Sequence, residues 1–128
     1  MKKLFAILCL GAVLLCGCSS NPEDVTEETY RTGKNALEAI DQYLDGEITA
    51  EDAHDKLDLY YDILDGHSDT LDETGNDYKL FSNCHSVQTN CMSASYAITK
   101  IDAGSSDGME ALIESRNDIA EIIGESER

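Results

Sequence analysis

The sequence has few positive charges: nine Lys and Arg stand against 26 Asp and Glu, which gives a formal net charge of −17. Nucleic-acid-binding proteins need Lys and Arg to neutralise phosphates, and a chain of this sign is repelled by anionic lipid surfaces. The scarcity of cations therefore disfavours both partners. So acidic a composition is also typical of disordered chains. The apolar residues nevertheless recur at regular intervals, so we expect a folded protein.

Several patterns are missing as well. No stretch alternates apolar and polar residues for long enough to predict a β-strand. No pattern resembles a nucleophile–base arrangement, a phosphate-binding glycine loop or a carboxylate pair with supporting context. The uncharged apolar or small run at residues 4–17 has fourteen residues, whereas a membrane-spanning helix needs about 20. We therefore expect neither an enzyme nor a cofactor, and this run is too short to serve as a comfortable transmembrane anchor.

The start of the chain carries a targeting signal. Lys2 and Lys3 precede the apolar run, and Leu15-Cys16-Gly17-Cys18 closes it, a layout typical of a secretory signal peptide. The closing residues resemble the lipobox of bacterial lipoproteins, a Leu-x-Gly/Ala-Cys pattern. That resemblance implies diacylglycerol on the Cys18 sulfur and cleavage before it, so that residues 1–17 are the signal peptide. An ordinary cleaved signal would instead leave Cys18 as a free thiol.

The mature chain has the size of one domain. Residues 1–17 contain two of the nine cations and none of the 26 carboxylates, so the remaining 111 residues carry a formal charge of −19. We interpret residues 18–23 as a short lipidated tether and residues 24–128 as an acidic helical domain close to the membrane. The resemblance implies lipid anchoring at the extracytoplasmic face of a cell membrane. Ser19 after the lipidated cysteine permits outer-membrane sorting in a host that has an outer membrane.

Apolar residues recur in steps of three and four along four segments of the chain, which predicts four helices. The first covers residues 24–45 and ends at Gly46. The second begins at a capping box of Thr49 and Asp52. The third covers residues 77–101.

Two helix boundaries depend on single residues. We expect the second helix to continue through Gly66 to Leu71, because Leu71 keeps the period. Its ending near Asp65 is the alternative. We expect Ser106 to cap the fourth helix and Met109 to begin its apolar stripe.

Four apolar stripes joined by short connections predict an all-α fold, an antiparallel up-down four-helix bundle. In antiparallel neighbouring helices, residues at the same height have position numbers with a nearly constant sum. This relation predicts core layers such as Ile40, Ala53, Ile98 and Leu112. Tyr60 is expected opposite Gly33. Arg116 interrupts the fourth stripe opposite Ala94, and we expect its guanidinium to reach the surface. Anchoring of an anionic ligand by Arg116 is the alternative.

Two cysteines, Cys84 and Cys91, remain for the fold. An oxidising exterior favours a disulfide, but seven residues along one helix separate the Cα atoms by roughly 10 Å, beyond the about 4.4–6.8 Å that a disulfide tolerates. We favour unpaired core thiols. A bridge across a broken helix, inter-chain pairing and metal binding are the alternatives. His67 shares a predicted layer with Cys84, but zinc needs three or four ligands, so we expect no metal site.

Two acidic regions are candidate calcium sites. Residues 41–52 partly resemble an EF-hand loop, since Asp41, Asp45, Gly46 and Ile48 match it, whereas position 3 holds a tyrosine. We favour a plain helix end there. A second acidic cluster is more typical of a solvated face than of a site that holds calcium; it comprises Asp65, Asp69, Asp72, Glu73 and Asp77.

Four tyrosines lie off the stripes and either flank the core or line a partner surface; they are Tyr43, Tyr61, Tyr78 and Tyr96.

These features favour a non-enzymatic interaction or structural module of the bacterial envelope. Its partners would be the membrane, through the lipid, and an envelope protein or a second copy of the chain. Nucleic acid is not among them. The alternative is a lipoprotein that binds a cation or a small ligand. The sequence identifies neither the partner nor the ligand.

Overall fold

The computed structural model describes residues 21–128, in which four α-helices and a short 3-10 turn occur without any β-strand. The helices are α1 (Glu27–Leu44), α2 (Ala50–Ser68), α3 (Tyr78–Asp102) and α4 (Gly108–Ile123), and the 3-10 turn Gly75–Asp77 precedes α3. The predicted all-α class is confirmed. The predicted signal peptide at residues 1–17, the lipidated Cys18 and Ser19 lie outside the described residues.

The helices form a bundle around one hydrophobic core. Helix α1 contacts α2 and α4, α3 contacts α2 and α4, and α1 also reaches α3. The largest fully buried side chains come from the predicted stripes of all four helices; among them are Ile40, Leu57, Leu64, Ile98, Leu112 and Ile119. Full burial of one such side chain contributes roughly 1.5–3 kcal/mol, so these stripes carry most of the favourable burial.

Side-chain caps determine where α1 and α2 begin. Helix α1 starts later than predicted because Thr26 caps it, its Oγ1 accepting a hydrogen bond from the Thr29 amide at 3.1 Å. Gly46 has a φ of +74° just beyond the end of α1, as a C-terminal glycine requires. The predicted capping box is confirmed: the Asp52 amide donates to Thr49 Oγ1 at 3.1 Å, and the Thr49 amide donates to Asp52 Oδ2 at 3.3 Å.

Helix α2 continues through Gly66, as predicted, but it ends at Ser68 rather than at Leu71. The hydroxyl of Ser68 donates to the carbonyl of Asp65 at 2.8 Å, and the Leu71 amide closes a tight turn on the Ser68 carbonyl at 3.0 Å. Ser and Thr hydroxyls compete in this way for the backbone bonds that would extend a helix. The apolar period therefore outlasted the helix, and Leu71 packs against the core from the turn.

The predicted cap of α4 was wrong. Ser106 does not cap the helix, because its hydroxyl donates to Asp107 Oδ1 at 3.1 Å. Asp107 occupies the cap position and makes no side-chain cap hydrogen bond. At the other end, Gly124 stops α4 with a φ of +75°.

The start of α4 lies unusually close to α3. A Cβ atom at Gly108 would lie 2.7 Å from Ile101 Cγ1 and 2.9 Å from the Ala97 carbonyl oxygen. Only glycine permits this approach of two helices. Gly108 is buried and occupies the core-facing position that we expected Met109 to take, whereas Met109 is 44% exposed.

Gly33 lets α1 approach α4. A Cβ atom there would lie 3.0 Å from Ile123 Cγ2, and Ile119 is the next residue in reach. The nearest side chain to Gly33, where we expected Tyr60, is therefore Ile123 of α4. The sequence could not reveal this contact. Gly33 and Tyr60 both lie on predicted apolar stripes, but the spacing along a stripe does not show which neighbouring helix the stripe faces.

The last residues of the predicted tether lie against the domain. Asn21 Nδ2 donates to the Val25 carbonyl at 2.8 Å, and Asn83 Nδ2 of α3 donates to the Asp24 carbonyl at 2.9 Å. Pro22 lies so close to Gly124 that a Cβ atom there would be 3.3 Å from Pro22 Cγ. The chain therefore enters the domain beside the end of α4.

Candidate functional site

The candidate metal ligands His67 and Cys84 bond to other groups of the protein. His67 Nε2 lies 2.7 Å from Thr26 Oγ1, and the Cys84 thiol donates to the Leu64 carbonyl at 3.5 Å. Within residues 21–128, no group of three or more His, Cys, Asp or Glu side chains converges as a metal site.

Cys84 and Cys91 are both free thiols and fully buried. Burial raises the pKa of the Cys84 thiol, and a hydrogen bond with Thr29 offsets part of that rise. Burial raises the pKa of the Cys91 thiol to about 12. Because the thiolate is the reactive form, these cysteines act as small hydrophobic core residues.

The acidic regions have internal partners. Asp41 and Asp52 would begin and end the EF-hand-like loop, but Asp41 pairs with two arginines and Asp52 is part of the capping box. In the second acidic cluster, Asp65 accepts a hydrogen bond from the buried Gln88 of α3 at 2.9 Å. Asp72 accepts one from the Thr74 amide at 2.9 Å. These carboxylates stabilise turns and helix contacts.

Arg116 lies at the centre of an ion cluster between α1, α4 and the chain after α4. Its Nε and Nη2 donate to the two carboxylate oxygens of Asp41 at 3.0 and 2.9 Å, and its Nη1 donates to the Ser126 carbonyl at 2.7 Å. Arg128 binds Asp41 as well, at 3.1 Å, and also Asp45. Arg116 is only 8% exposed, so the expectation that its guanidinium reaches the surface was wrong. Asp41 occupies the place of the anionic ligand that was the alternative for Arg116.

The electrostatics of Asp41 reflect these partners. Burial alone would raise the pKa of its carboxyl, but the hydrogen bonds and charges of Arg116 and Arg128 outweigh burial and hold the pKa below its ordinary value. The carboxylate is therefore ionised in the folded protein and stabilises the contact between α1 and α4.

A cleft of about 870 Å³ runs along α1 beside this cluster. Its lining includes Tyr30, Lys34, Glu38, Arg116 and Glu125. Tyr30 donates its hydroxyl proton to Glu125 Oε1 at 2.8 Å, and the Glu125 carboxylate raises the pKa of Lys34. Cations and carboxylates thus alternate along the cleft, and most of them already have a partner within the protein.

A contact between Ser95 and His54 was not expected from the sequence. Ser95 Oγ lies 2.7 Å from His54 Nδ1 and donates to Asp58 Oδ1 at 3.4 Å, while His54 Nε2 lies 3.2 Å from Thr99 Oγ1. In a catalytic triad the carboxylate orients the histidine, which accepts the serine proton. Here the carboxylate contacts the serine instead of the histidine, and both histidine nitrogens face hydroxyl groups. The arrangement joins α2 to α3 and lacks the geometry of a triad.

Helix α3 has a face without carboxylates. Its 25 residues contain one acidic residue, Asp102 at the C-terminal end, in a chain with 26 Asp and Glu. Three of its exposed side chains are large and apolar or aromatic: Tyr78 is 57% exposed, Met92 52% and Tyr96 64%. Of the four candidate tyrosines, Tyr78 and Tyr96 are therefore exposed. The other two, Tyr43 and Tyr61, pack against the core.

A groove of about 310 Å³ lies between α3 and α4, and Tyr96 is the one of these three exposed side chains that lines it. The small residues Ala97, Ala111 and Ser115 form its floor, and Tyr96 stands at its edge with Lys100 Nζ 5.3 Å from the ring centroid. On the far side, α4 presents a row of exposed carboxylates, which comprises Glu110, Glu114, Asp118 and Glu121. We call the groove with the α3 face and this row the α3/α4 surface.

The whole chain matched no protein-family model, no curated protein and no solved structure. None of the helices within residues 21–128 is both long enough and apolar enough to cross a membrane. The α3/α4 surface has a signal in the sequence, which is the run of 24 residues from Tyr78 without Asp or Glu in an acidic chain.

Proposed function

We propose that the protein is a small extracytoplasmic lipoprotein that acts as a non-enzymatic interaction or structural module of the bacterial envelope. The lipobox-like residues 15–18 support the anchor at Cys18. The position of Pro22 beside Gly124 supports an orientation in which the end of α4 lies nearest the membrane. A tether this short keeps the domain close to the bilayer, since an extended chain spans at most about 3.6 Å per residue.

We propose further that the four helices run up-down and antiparallel. Support comes from the order of the hydrogen-bonded pairs between α2 and α3. His54 pairs with Thr99 and Asp65 with Gln88, so an early residue of α2 meets a late residue of α3. This reversed order is what neighbouring antiparallel helices require.

The α3/α4 surface is the observation that carries the interaction role. Three exposed large apolar or aromatic side chains lie on the one helix that is almost free of carboxylates. Met92 and Tyr96 lie one helical turn apart, and contiguous exposed apolar surface rimmed by polar residues is typical of protein–protein contact sites.

The test is crosslinking in intact cells followed by purification of the full chain, with mass spectrometry of the residue at position 18. We expect diacylglycerol on Cys18 and one enriched envelope protein. Recovery of the unlinked domain alone, at cellular abundance, would contradict the interaction role. A bare Cys18 would contradict the anchor and leave the interaction role standing.

Small-ligand binding is a second candidate function, and the cleft along α1 favours it. Its volume of about 870 Å³ falls in the range of small-molecule sites, roughly 300–1,000 Å³. Elemental analysis after dialysis and thermal melting with calcium, zinc or envelope extracts test this candidate. A bound compound or a raised melting temperature would support it, and the absence of both would remove it.

A further inference from the structure

We propose that the α3/α4 surface binds a basic amphipathic helix of a partner protein. The inference rests on the proposed interaction role and specifies the chemistry of the partner. The partner helix would place apolar side chains against Tyr96 and Met92 and a row of Lys or Arg side chains against the carboxylates of α4. Helices bind in grooves of other proteins through such apolar anchors, spaced three and four residues apart.

The shape of the surface fits a helix. The groove between α3 and α4 has a floor of small residues, with Ala97 1% and Ser115 6% exposed, which allows a helix to approach closely. Tyr96, at the edge of the groove, is the most exposed large hydrophobic side chain of the described residues. Met92 lies one turn earlier on α3. Aromatic side chains and Met are enriched in the buried centres of interfaces.

The charges of the surface specify a basic partner. The exposed row on α4 has carboxylates at positions 110, 114, 118 and 121, in steps of four, four and three, so they share one helix face. Eleven residues of helix span about 16 Å, so three turns of a partner helix would cover the row. The one cation lining the groove, Lys100, lies over the Tyr96 ring at 5.3 Å and leaves Glu114 and Asp118 without a cationic partner in the groove.

A second copy of the chain fits this surface poorly. The mature chain carries a formal charge of −19, and like charges facing one another across an interface are unfavourable. Among the cations that form ion pairs in the described residues, Arg31 has the most exposed side chain. It already binds Glu28 of its own helix. Among the described helices, none presents a row of cations beside an apolar row, so the described part of a second copy offers no complementary face.

The charges of the surface favour a transient complex. The attraction between the α4 row and a basic helix speeds encounter and weakens with salt. We therefore expect the complex to form readily and to dissociate unless it is trapped.

The test traps the complex by photo-crosslinking in intact cells that express the full chain. The photoreactive phenylalanine analogue p-benzoylphenylalanine replaces Tyr96, and in a matched strain it replaces Leu59 of α2, which is 56% exposed against 64% for Tyr96. We expect an adduct from position 96 at least tenfold more abundant than from position 59. We expect mass spectrometry to find the crosslinked segment to be a helix-forming sequence with Lys or Arg beside apolar residues.

A charge reversal tests the electrostatic part. Glu114→Lys with Asp118→Lys is expected to reduce the adduct from position 96 at least fivefold. The control, Glu51→Lys with Asp55→Lys, makes the same charge change at the same spacing on α2, where both side chains are exposed, and is expected to leave the adduct unchanged. Circular dichroism of each purified variant verifies that it folds.

Four outcomes overturn the inference: no adduct at position 96, equal adducts at both positions, an adduct between two copies of the chain, or equal losses in the two charge reversals. The first of these, when it comes with an adduct from position 59, leaves the interaction role intact. Failure of the interaction role itself would instead appear as no enriched partner in the general crosslinking experiment.

Discussion

Arg116 of α4 holds the carboxylate of Asp41 on α1 with two hydrogen bonds, at 3.0 and 2.9 Å, across 75 positions of the chain. A third bond, to the carbonyl of Ser126 at 2.7 Å, draws the chain after α4 into the same contact. Two parallel bonds between guanidinium and carboxylate fix geometry as well as charge. This contact therefore sets how α1 and α4 lie against each other.

Replacing Arg116 with methionine is expected to lower the free energy of unfolding by about 1–3 kcal/mol. The reason is that Asp41, with its side chain 30% exposed, loses its main partner in a partly buried site. Urea titration followed by circular dichroism measures the loss. Arg31→Met is the control, because Arg31 pairs with Glu28 at the surface, with its side chain 64% exposed, and such pairs contribute less than about 1 kcal/mol. Equal losses would contradict the role of Arg116.

The Asp41 carboxyl predicts a sensitivity to acid. Its pKa in the folded protein lies below the ordinary 3.8, so it contributes stability above that value and loses it as the pH falls through the folded pKa. We expect urea midpoints measured between pH 6 and pH 2.5 to fall more steeply for the wild type than for Asp41→Asn. Parallel curves for the two proteins would show that this carboxyl contributes nothing to acid unfolding.

Replacing either of two helical glycines with alanine is expected to change the stability of the protein, in opposite directions at the two positions. Gly108→Ala is expected to cost about 1–3 kcal/mol, because the new Cβ would lie 2.7 Å from Ile101 Cγ1 and 2.9 Å from backbone atoms of α3. Gly66→Ala is expected to gain up to about 1 kcal/mol, because no atom lies within 4 Å of its Cβ position. Thermal melting of both variants measures the difference. A stabilising Gly108→Ala would mean that α3 and α4 are farther apart.

Cys91 predicts a loss of stability in alkali. Its thiol has a pKa of about 12 in the fold against an ordinary 9.0, so the unfolded chain ionises first and stability falls between these two values. Cys91→Val, which fills a similar volume without a titrating group, is expected to show a shallower decline in melting temperature from pH 8 to pH 11. Rapid alkylation of Cys91 by iodoacetamide in the folded protein at pH 8 would contradict its burial.

The predicted helices were close to the observed ones because their signals are local. The Thr49 and Asp52 capping box and the glycine stop at Gly46 involve residues only a few positions apart, and both were predicted. The end of α2 was missed by three residues, because the hydroxyl of Ser68 competes for the Asp65 carbonyl, which an apolar period does not reveal. Helix α3 was predicted despite its many Ser, Thr and Asn residues, because its apolar stripe was unbroken.

The candidate site was only partly visible in the sequence. The absence of carboxylates from α3 can be read directly from its residues, and Tyr96 was already a candidate surface tyrosine. The groove beside it was not predictable, since its lining residues come from two helices, α3 and α4, whose relative rotation and spacing are set by packing. The pairing of Ser95 with His54 was missed for a similar reason: their 41-residue separation has no signature in the sequence.

The sequence by itself determined the helix class, the positions of the four helices and the excess of negative charge, because helices form from contacts between residues three and four positions apart. Only the tertiary structure decided which faces meet. The partner of Arg116, the neighbour of Gly33 and the groove beside Tyr96 all depend on helix rotation and spacing. Those are set by the simultaneous packing of side chains from distant parts of the chain, where one missing Cβ changes which atoms come into contact.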